Sequence, residues 1–562
     1  MPNQRLSPMT AIKYQAITTF MLIILAVFLG SCNTDTSRPN ILLILCDDMG
    51  FSDPGCFGGE IRTPSIDRLA YEGIRMTRVY NSARCCPSRA SLFTGLYPHQ
   101  AGIGYFANFD KGAPGYTGFL QDRSTGISEV LKNAGYNTYM SGKWHMGDSP
   151  GPIEKGFDEF YGFVVPHSIS CWDPDAMFRL PEGRTERKYD PDKFYATDAI
   201  TDYAIDFLNK GLSSPAPFFL FLSYNAPHFP LHAPKEITDQ YIPVYEKGWD
   251  TIRAERFERI MELGIGDDQW ELPPRSEVMI ERRDMGYGGK PNPPWSSWTA
   301  ERQKDLARRM AVYAAMIDRM DHNIGRVIQR LEESGELENT LIFFLSDNGA
   351  CAEFNPLGFD LKESRDNILN TGDRLDRMGL PGSYISYGSG WAMTSNTPLN
   401  LYKHYIHEGG ISTPFIIHWP DGIKNPGTID NRPAHVMDVM ATCVEVSGAE
   451  YPKLNRGTEI LPMEGMSLVP VMNGEGWNHR VLGFEHERNR GYLKGEWKIV
   501  SEEYRGDEWE LYNIDDDRLE QDNLADRYPG KVKELAEEYR EWAGRVLVHP
   551  YFETMEEKYT KY

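Results

Sequence analysis

The sequence predicts an α/β protein in which a large, mixed but mostly parallel sheet lies between helices. Three observations indicate this fold: continuous apolar runs of strand length, amphipathic segments between those runs, and polar residues where the runs end. The 562 residues are 41% hydrophobic and 25% charged, which is ordinary for a globular protein with an ample core. The length suits several domains, or one large α/β domain with a smaller one.

Three strong apolar runs are typical of strands that are covered on both faces of a sheet. They span residues 40–46, 217–223 and 340–345; a weaker run spans 136–140, and a further strand is predicted over 414–418. The first four are followed by polar side chains, namely Asp47 and Asp48, Asn225 and His228, Asp347 and Asn348, and Lys143 and His145. Because ligands bind at the carboxyl ends of strands in open parallel sheets, we expect these side chains to meet in one site.

Helices are predicted between the strands from their apolar periodicity and end signals. Their spans are 63–70, 125–134, 198–208 and 301–334, the last ending at Gly335. Residues 234–299 lack this periodicity, and we predict surface loops and short helices there, with a lid on the substrate side as one interpretation. Residues 351–397 are irregular, and we expect this insertion to border the pocket.

The pattern changes to short strands and tight turns after about Gly474. Strands are predicted over 481–485, 491–500 and 508–513, and a final helix over 530–546. We therefore predict an α/β domain over 38–474 and a small C-terminal subdomain of antiparallel sheet plus helix over 475–562.

The N-terminus has the pattern of an export signal. Lys13 precedes an apolar run over 16–29, which is too short to span a bilayer comfortably. The basic flank, apolar centre and small residues predict a signal peptide over 1–31. Leu29-Gly-Ser-Cys32 resembles a bacterial lipobox, so we expect Cys32 to be lipidated; an uncleaved membrane anchor is the alternative. Either way, the catalytic part would lie outside the cytoplasm. We predict an extracytoplasmic, membrane-anchored lipoprotein of a bacterium, in the periplasm or at the cell surface.

The formal net charge of −22 argues against a nucleic-acid partner, since binding a phosphate backbone needs a basic surface. An anionic substrate must therefore be attracted by a local positive site. The cysteines other than Cys32 and Cys85 have no repeated spacing, so no disulfide framework is predicted, and most are expected to be free buried thiols.

The segment Cys85-Cys-Pro-Ser-Arg89 is the strongest chemical motif in the chain. Adjacent cysteines rarely form a disulfide with each other and fit poorly around one zinc ion, so one of them is expected to take part in the chemistry of the protein. Pro87 and Ser88 predict a helix here with Ser88 as its N-cap. Cys85 would then lie at a helix N-terminus, beside the positive charge of Arg89. A cysteine without this context would more often have a structural role, but the whole pentapeptide favours a catalytic role for Cys85.

The paired carboxylates Asp47 and Asp48 repel one another and need a cation or strong hydrogen bonds, although a solvated turn is the alternative. Together with Asp347 and Asn348 they offer hard oxygen ligands, which suit calcium or magnesium.

Cys85-x-Pro-Ser-Arg89, followed by Leu92 and Thr94-Gly95, resembles the signature of the type I (formylglycine-dependent) sulfatases. These are sulfuric ester hydrolases of the alkaline-phosphatase-like superfamily, arylsulfatases among them, and the resemblance extends from Asp47 to the last helix. It implies an alkaline-phosphatase-like fold and a sulfatase catalytic domain. It also implies that a maturation enzyme oxidises Cys85 to formylglycine (3-oxoalanine), whose hydrate attacks sulfur. Leu96 departs from the arginine of many members.

The resemblance implies a role for each site residue. The ligands of one calcium ion would be Asp47, Asp48, Asp347, Asn348 and modified Cys85. The positive charge around the sulfate would come from Arg89, Lys143 and Lys403, the last standing five residues before Glu408 as in the family. His228 with Lys403 would protonate or neutralise the leaving alcohol, and His145 would take a proton from the second hydroxyl of the hydrate.

Sulfated carbohydrate is the substrate class we expect, with His486 and Arg490 as candidate contacts from the C-terminal subdomain. His404 and His407 are not part of the family pattern and are interpreted as structural or supporting residues. The expected partners are therefore this substrate, a sulfatase-maturating enzyme and the membrane through the N-terminal lipid. The alternatives are a phosphoesterase or phosphonate hydrolase of the same superfamily, a non-catalytic glycan-binding lipoprotein, and a structural lipoprotein.

Overall fold

The computed structural model describes residues 38–280, 283–362, 364–476, 480–503 and 508–548. The predicted signal peptide over 1–31 and the lipidation site Cys32 lie outside these residues. The chain from Pro39 onward forms one compact unit. Among the helices of the described residues, each is too short or too polar to cross a membrane.

The strands alternate with helices along most of the chain. In chain order they are β1 Asn40–Cys46, β2 Ile74–Tyr80, β3 Asn137–Lys143, β4 Glu159–Phe163, β5 Phe178–Leu180, β6 Phe218–Ser223, β7 Thr340–Ser346, β8 Ser412–His418, β9 Thr428–Asp430, β10 Ala434–His435, β11 Leu454–Asn455, β12 Thr458–Glu459, β13 Val481–His486, β14 Asn489–Lys494, β15 Trp497–Ser501 and β16 Glu510–Asn513.

The helices vary from single turns to a helix of 35 residues. In chain order they are α1 Pro64–Tyr71, α2 Cys85–Thr94, α3 Pro98–Ala101, α4 Ile127–Asn133, α5 Ala196–Leu212, α6 Lys235–Tyr245, α7 Trp249–Glu262, α8 Ala300–Ser334, α9 Asp373–Asp376, α10 Ser389–Ser395, α11 Glu408–Ile411, α12 Asp438–Ser447, α13 Val469–Met472 and α14 Pro529–Arg545.

The large sheet has ten strands in the order β10-β2-β8-β7-β1-β6-β3-β4-β5, with β9 paired to β2. The five central strands from β7 to β4 are all parallel to one another. The antiparallel pairings lie on either side of this centre, at β7–β8, β8–β2 and β4–β5. The predicted mixed, mostly parallel sheet is therefore confirmed.

Strand β1 shows why the apolar runs form the centre of this sheet. Its side chains point alternately to the two faces, so Leu42 and Ile44 pack in one core and Ile41 and Leu43 in the other. The first core is shared with α1, α5 and α8, and the second with α2, α4 and α12. Because both faces are covered by helices, a continuous apolar run is required rather than an alternating one.

The long helix α8 agrees with its prediction to within one residue. The Thr299 hydroxyl caps it by accepting from the Arg302 amide at 3.3 Å, and Gly335 ends it with a φ of 73°. The surface loops and short helices predicted over 234–299 include α6 and α7, but part of this stretch is not at the surface, since α6 packs on α8 and Trp249 of α7 is fully buried. These two helices belong to the helical layer.

Strand β2 was not predicted, because Arg75 and Arg78 interrupt its apolar run. Both arginines are buried in the fold. Arg75 Nη1 donates to the carbonyl oxygen of Cys56 at 3.2 Å, and Arg78 Nη1 pairs with Asp515 at 2.7 Å. Tertiary partners therefore make this strand compatible with the core.

The small C-terminal sheet is an antiparallel meander in the order β13-β14-β15-β16, with α14 packed on it. This confirms the predicted sheet plus helix. Its apolar cluster includes Leu482 and Trp542 together with Tyr80 and Ile411 from the large sheet region. The two sheets therefore share a hydrophobic cluster.

A buried ion cluster reinforces this junction. Lys498 of β15 is fully buried, and its Nζ contacts Glu408 Oε1 at 2.9 Å and Glu520 Oε1 at 2.8 Å. The Arg518 Nε adds a contact to Glu408 Oε2 at 3.3 Å. Glu408 begins α11, so this cluster links the small sheet to the segment that follows Lys403.

We expect Lys498→Met to destabilise the protein by about 3–5 kcal/mol, because it leaves two buried carboxylates without their main partner. Urea unfolding followed by intrinsic fluorescence measures this change. Lys494→Met is the matched control: Lys494 lies in the same sheet, its side chain is 43% exposed and it pairs with Glu538, so its loss should cost less than about 1 kcal/mol. Equal effects of the two variants would contradict this role for Lys498.

His407 gives the same junction a pH dependence. Burial lowers the pKa of His407, but Glu520 and Glu510 outweigh burial and raise it from 6.5 to about 9. The charged imidazole therefore contributes about 3 kcal/mol of stability that is fully present below pH 6.5 and lost as the pH rises through about 9. We expect the difference in unfolding free energy between wild type and His407→Gln to shrink between pH 6 and pH 9.5.

The control for this experiment is His322→Gln, because His322 is exposed on α8. Its unfolding free energy should follow that of the wild type at both pH values. A His407→Gln difference that stays constant from pH 6 to pH 9.5 would rule out the charged histidine as its source.

Candidate active site

The site lies where the carboxyl ends of four parallel strands meet. Asp47 and Asp48 follow β1, Asp347 and Asn348 follow β7, Lys143 is the last residue of β3, and His228 follows β6. The backbone N–H of Asp48 donates to Asp347 Oδ1 at 3.2 Å, which joins the ends of β1 and β7 directly. The structure thus brings together the polar residues that the sequence places after separate strands.

Helix α2 brings Cys85 and Arg89 to the same edge. The helix begins at Cys85, and the residue before it, Arg84, is extended. The prediction that Ser88 caps this helix is wrong: Ser88 lies one turn inside it, and its hydroxyl accepts from the Ser82 amide at 2.9 Å. All ten residues of α2 are buried, so the helix is fixed on every side.

Two lysines neutralise the carboxylates that follow β1. Lys143 Nζ donates to Asp47 Oδ2 at 2.5 Å, and Lys403 Nζ contacts both oxygens of Asp48 at 2.9 Å. Lys403 and His228 lower the pKa of Asp48, although burial acts in the opposite direction. Asp48 has a φ of 66°, a strained value for a residue with a side chain.

Arg89 and Asn348 complete the contacts among the charged groups. Arg89 Nε donates to Asp347 Oδ2 at 2.8 Å, and its Nη1 donates to the hydroxyl of Ser223 at 2.7 Å. Asn348 Nδ2 donates to Asp48 Oδ1 at 2.7 Å, which turns its amide oxygen away from that carboxylate.

The oxygen atoms of this cluster fit a hard divalent cation. Asp47 Oδ1 and Asn348 Oδ1 are both buried and have no hydrogen-bond partner. Burial, reinforced by the charge of Asp47, raises the pKa of Asp347 well above its ordinary value. Three buried carboxylates around unpaired oxygens are stabilised by a cation, and carboxylate and amide ligands suit calcium and magnesium.

The Cys85 thiol is buried at the edge of this cluster and lies beside His145, with their ligand atoms within 4.8 Å. Burial alone would raise the pKa of this thiol, but a hydrogen bond with Cys86 and the neighbouring cations hold it well below its usual value. In contrast, burial raises the pKa of Cys86 well above that value, and its Sγ lies 3.5 Å from the carbonyl oxygen of Tyr105. The structure therefore gives the two adjacent cysteines different environments.

His145 and His228 flank the site as neutral rings. Burial lowers the pKa of each to about 4. Both ring nitrogens of His145 are buried without a hydrogen-bond partner, and its φ is 54°. His228 Nδ1 donates to the Phe229 carbonyl oxygen at 2.5 Å, while its Nε2 lies 3.3 Å from Asp48 Oδ2. Each ring therefore has a nitrogen available toward the site.

A third histidine and a phenylalanine were missed by the sequence analysis. The His167 ring centroid lies 6.4 Å from that of His145 and 5.9 Å from that of His228. Phe106 packs edge-on against His145 at 5.3 Å. His167 could have been predicted from its position just after the carboxyl end of a strand, but that strand, the short β4, was not predicted either.

A cavity of about 310 Å³ lies beside the C-terminal sheet and is lined by Arg84 and His404, the chain neighbours of the site residues Cys85 and Lys403. Its walls include Glu353, Phe354 and Arg365 from the 351–397 insertion, as expected, and His404, Glu487 and Asn489. His486 is fully buried behind this wall and stacks on His404 with ring centroids 5.5 Å apart. Arg490 lies over Trp509 and donates to the Ser501 hydroxyl at 2.9 Å, so the structure keeps it within the small sheet.

The cysteines in the described residues are all free and buried, as expected. They are Cys46, Cys56, Cys85, Cys86, Cys171, Cys351 and Cys443.

Comparison with known structures identifies similar folds. The crystal structure of Ps i-CgsB in complex with k-i-k-neocarrahexaose matches with a TM-score of 0.63 at 23% identity, covering 90% of this chain and 93% of that one. BT4656, solved with its substrate D-glucosamine-2-N,6-O-disulfate, matches with a TM-score of 0.57 at 22% identity, covering 91% and 98%.

Sequence comparison extends over nearly the whole chain. An uncharacterized sulfatase of Schizosaccharomyces pombe is 35% identical over 530 residues, covering 90% of this chain and 93% of that protein. An arylsulfatase of Klebsiella aerogenes is 36% identical over 454 residues, covering 79% and 94%. An N-acetylglucosamine-6-O-sulfatase of Bacteroides thetaiotaomicron is 28% identical over 576 residues, covering 92% and 89%.

Family models match in two overlapping regions. Residues 39–449 match the model described as Sulfatase, and residues 400–544 match the one described as the C-terminal region of N-sulphoglucosamine sulphohydrolase. The first model covers well over half of the chain, and the match includes each strand end that contributes to the site. The chain therefore belongs to the sulfatase family and is a sulfuric ester hydrolase.

Proposed function

We propose that this enzyme hydrolyses sulfate esters of carbohydrates through a formylglycine formed at Cys85 and one bound calcium ion. The observation that carries the proposal is the position of Cys85, buried at the start of α2 beside His145 and next to the oxygen cluster. The signature around Cys85 supports the modification. The names of the N-acetylglucosamine-6-O-sulfatase relative and the sugar ligands of the structural neighbours support a sulfated carbohydrate as the substrate.

The calcium ion would be held by Asp47, Asp48, Asp347 and Asn348 together with the modified side chain of residue 85. The unpaired oxygens of Asp47 and Asn348 favour this ligand set. Magnesium uses the same ligand types and is the alternative ion. A bound divalent cation supplies charge stabilisation to a sulfate oxygen and polarises the ester.

Three cations of the chain would bind the sulfate and stabilise the charge that develops during its transfer. Arg89 is held rigidly by Asp347 and Ser223, so its guanidinium stays aimed at the cluster. Lys143 and Lys403 lie on opposite sides, on Asp47 and Asp48. Because all three side chains are buried, their charges act in a water-poor site, where electrostatic interactions are strong.

Two histidines would move protons. The hydrogen bond from His228 Nδ1 to the Phe229 carbonyl leaves Nε2 facing the site without a proton while the ring is neutral. The proton that neutralises the leaving alcohol would therefore come from the Lys403 ammonium, or from His228 in its charged form, in which Nε2 also carries a proton. His145 has unpaired ring nitrogens next to residue 85, which suits a base that accepts a proton from the hydrated formylglycine.

We propose further that the protein matures outside the cytoplasm. A sulfatase-maturating enzyme would oxidise Cys85, and lipidated Cys32 would anchor the mature chain to a bacterial membrane, facing the periplasm or the cell surface. The catalytic domain would span 38–474 and the C-terminal subdomain 475–562.

The modification predicts a change of mass. On co-expression with a maturation enzyme, the peptide containing Cys85 should be lighter by about 18 Da as the aldehyde, or nearly unchanged in mass as the hydrate, in peptide mass spectrometry. Cys85→Ala should lower kcat on 4-nitrophenyl sulfate by more than about 10³-fold, because the nucleophile is lost.

Cys86→Ala is the matched control for the modified position. It retains the cysteine two residues before Pro87, so the peptide should still be converted. An unmodified Cys85 in active enzyme, or faster hydrolysis of 4-nitrophenyl phosphate than of the sulfate, would contradict the proposal.

The metal site predicts a selective loss of calcium binding. After treatment with EGTA, wild-type protein should bind one calcium ion per chain in calorimetric titration. Asp347→Asn should weaken calcium binding by more than about 10-fold. Loss of a residue that only hydrogen-bonds to a metal ligand typically costs about 10-fold in metal affinity, and loss of a ligand carboxylate should cost more. Asn348→Ala should weaken binding in the same direction while leaving the ion pair of Arg89 with Asp347 in place.

Asp516→Asn makes the same chemical change in the exposed Asp515-Asp-Asp517 turn and serves as the control. It should bind calcium like the wild type. Loss of binding in Asp516→Asn, with retention in Asp347→Asn, would move the calcium site to that turn.

A further inference from the structure

Residues next to the buried site form a closed series of side-chain contacts, which we call the collar. Its members come from seven separate segments, and several of them adjoin a residue of the site in sequence or in space. One part of the collar is aromatic and the other is charged. Both parts bear on the leaving group, which is the portion of the substrate that remains outside the sulfate site.

The aromatic part consists of Phe106, His167 and Phe229. The His167 ring centroid lies 5.9 Å from that of Phe106 and 6.1 Å from that of Phe229. Phe229 directly follows His228, and Phe106 contacts His145. Phe229 is only 4% exposed, whereas Phe106 and His167 are half-buried, so the apolar surface that a sugar or an aryl group could contact comes from those two rings.

The charged part alternates in sign. Arg84 pairs with Glu487, Glu487 Oε2 lies 3.1 Å from His404 Nδ1, and His404 Nε2 lies 3.3 Å from Glu353 Oε1. Arg365 Nη1 then pairs with Glu353 Oε2 at 2.9 Å. The same five side chains line the 310 Å³ cavity.

The two arginines join the parts into a closed series. The Arg84 guanidinium carbon lies 4.7 Å from the ring centroid of Phe106, and that of Arg365 lies 5.3 Å from that of Phe229. Arg84 directly precedes Cys85, and His404 directly follows Lys403. The collar is therefore tied to the site residues and cannot move far from them.

Size and charge both limit what the collar accepts. A volume of 310 Å³ is at the lower end for small-molecule pockets, which run from about 300 to 1,000 Å³, and suits one ring rather than a stretch of polymer. Each of the three collar cations already has a carboxylate partner within the collar. A second sulfate or carboxylate near the scissile ester would have to compete for these cations and leave a glutamate unpaired.

We propose that the collar is a leaving-group site for a single terminal sugar ring without a second anionic group. The proposal rests on the sulfatase function proposed above and adds that the enzyme acts at chain ends. The sugar ring would lie in the 310 Å³ cavity. There the carboxylates of Glu353 and Glu487 would accept hydrogen bonds from its hydroxyl groups, and the Asn489 amide would accept or donate them. Aryl sulfates would fit the aromatic part alone and would report on the chemistry without testing the charged part.

The first experiment compares four substrates on mature wild-type enzyme: 4-nitrophenyl sulfate, a monosulfated monosaccharide, the same sugar with a second sulfate, and a polysaccharide that carries this sulfated sugar internally. We expect kcat/KM for the disulfated sugar and for the polysaccharide to be at least about 10-fold below that for the monosulfated sugar. Equal values would overturn the proposal. If none of the four substrates is hydrolysed, the sulfatase function itself is overturned. If 4-nitrophenyl sulfate is hydrolysed but the monosulfated sugar is not preferred over the disulfated sugar and the polysaccharide, only the proposal for the collar is overturned.

The second experiment uses Glu353→Gln and Glu487→Gln. Each should raise KM for the monosulfated sugar by about 10-fold, because a hydrogen-bond partner of the sugar is lost. Each should also reduce the ratio of kcat/KM between the monosulfated and the disulfated sugar, because a collar cation that loses its carboxylate partner can pair with the second sulfate. The fall in kcat/KM on 4-nitrophenyl sulfate should be at least about 10-fold smaller than the fall on the monosulfated sugar, because the aryl group lacks the hydroxyl groups that these carboxylates would bind. A parallel fall in kcat for both substrates would indicate a purely structural role and overturn the proposal.

Glu534→Gln removes a carboxylate from the exposed surface of α14 and serves as the charge-matched control. It should leave both KM values and the discrimination unchanged. Direct binding provides a readout that is independent of turnover. Calorimetry on the Cys85→Ser variant should show tighter binding of the monosulfated sugar than of the disulfated sugar, and the reverse order would contradict the collar.

Discussion

Three carboxylates buried at one edge of a parallel sheet impose the main constraint on this structure. Asp47, Asp48 and Asp347 lie within reach of one another because β1 and β7 are neighbours, and burial makes their mutual repulsion costly. Cations must therefore reach the same place. The chain supplies Lys143 from the adjacent part of the sheet and Arg89 from α2, and the unpaired oxygens leave room for the charge of a divalent ion.

This concentration of cations explains how an acidic protein handles an anionic substrate. The net charge of −22 is unfavourable for sulfate at long range, but the charges that matter are buried and act over short distances. Strained backbone at Asp48 and His145, each with a positive φ, holds these side chains in place. The strain is supported by a sheet whose two faces are both covered by helices.

The small C-terminal sheet contributes to the site as well as to stability. Lys498 ties it to Glu408, only a few residues after Lys403, and Glu487 at its edge contacts His404. A change that destabilises the small sheet would therefore displace side chains that line the cavity. The same contacts explain why His407 and His404, which the family pattern does not include, are both buried among carboxylates.

Much of this protein follows from the sequence alone. The apolar runs determine the central strands because only a sheet covered on both faces needs them. The pentapeptide ending at Arg89 points to the chemistry of Cys85, and the polar pairs after each strand predict one site, since parallel strands end at the same edge. Cys85 lies at a helix N-terminus as predicted, although the helix begins four residues before the start that a Ser88 cap would give.

The collar and strand β2 were decided only by the tertiary structure. Arg75 and Arg78 are incompatible with a buried strand until Cys56 and Asp515, far away in the sequence, provide their partners. His167, Glu353 and Glu487 have no motif, and each acquires its place through contacts with side chains from other segments. Local sequence determines the elements and the reactive group, whereas the surroundings of the substrate depend on long-range packing, which no short pattern encodes.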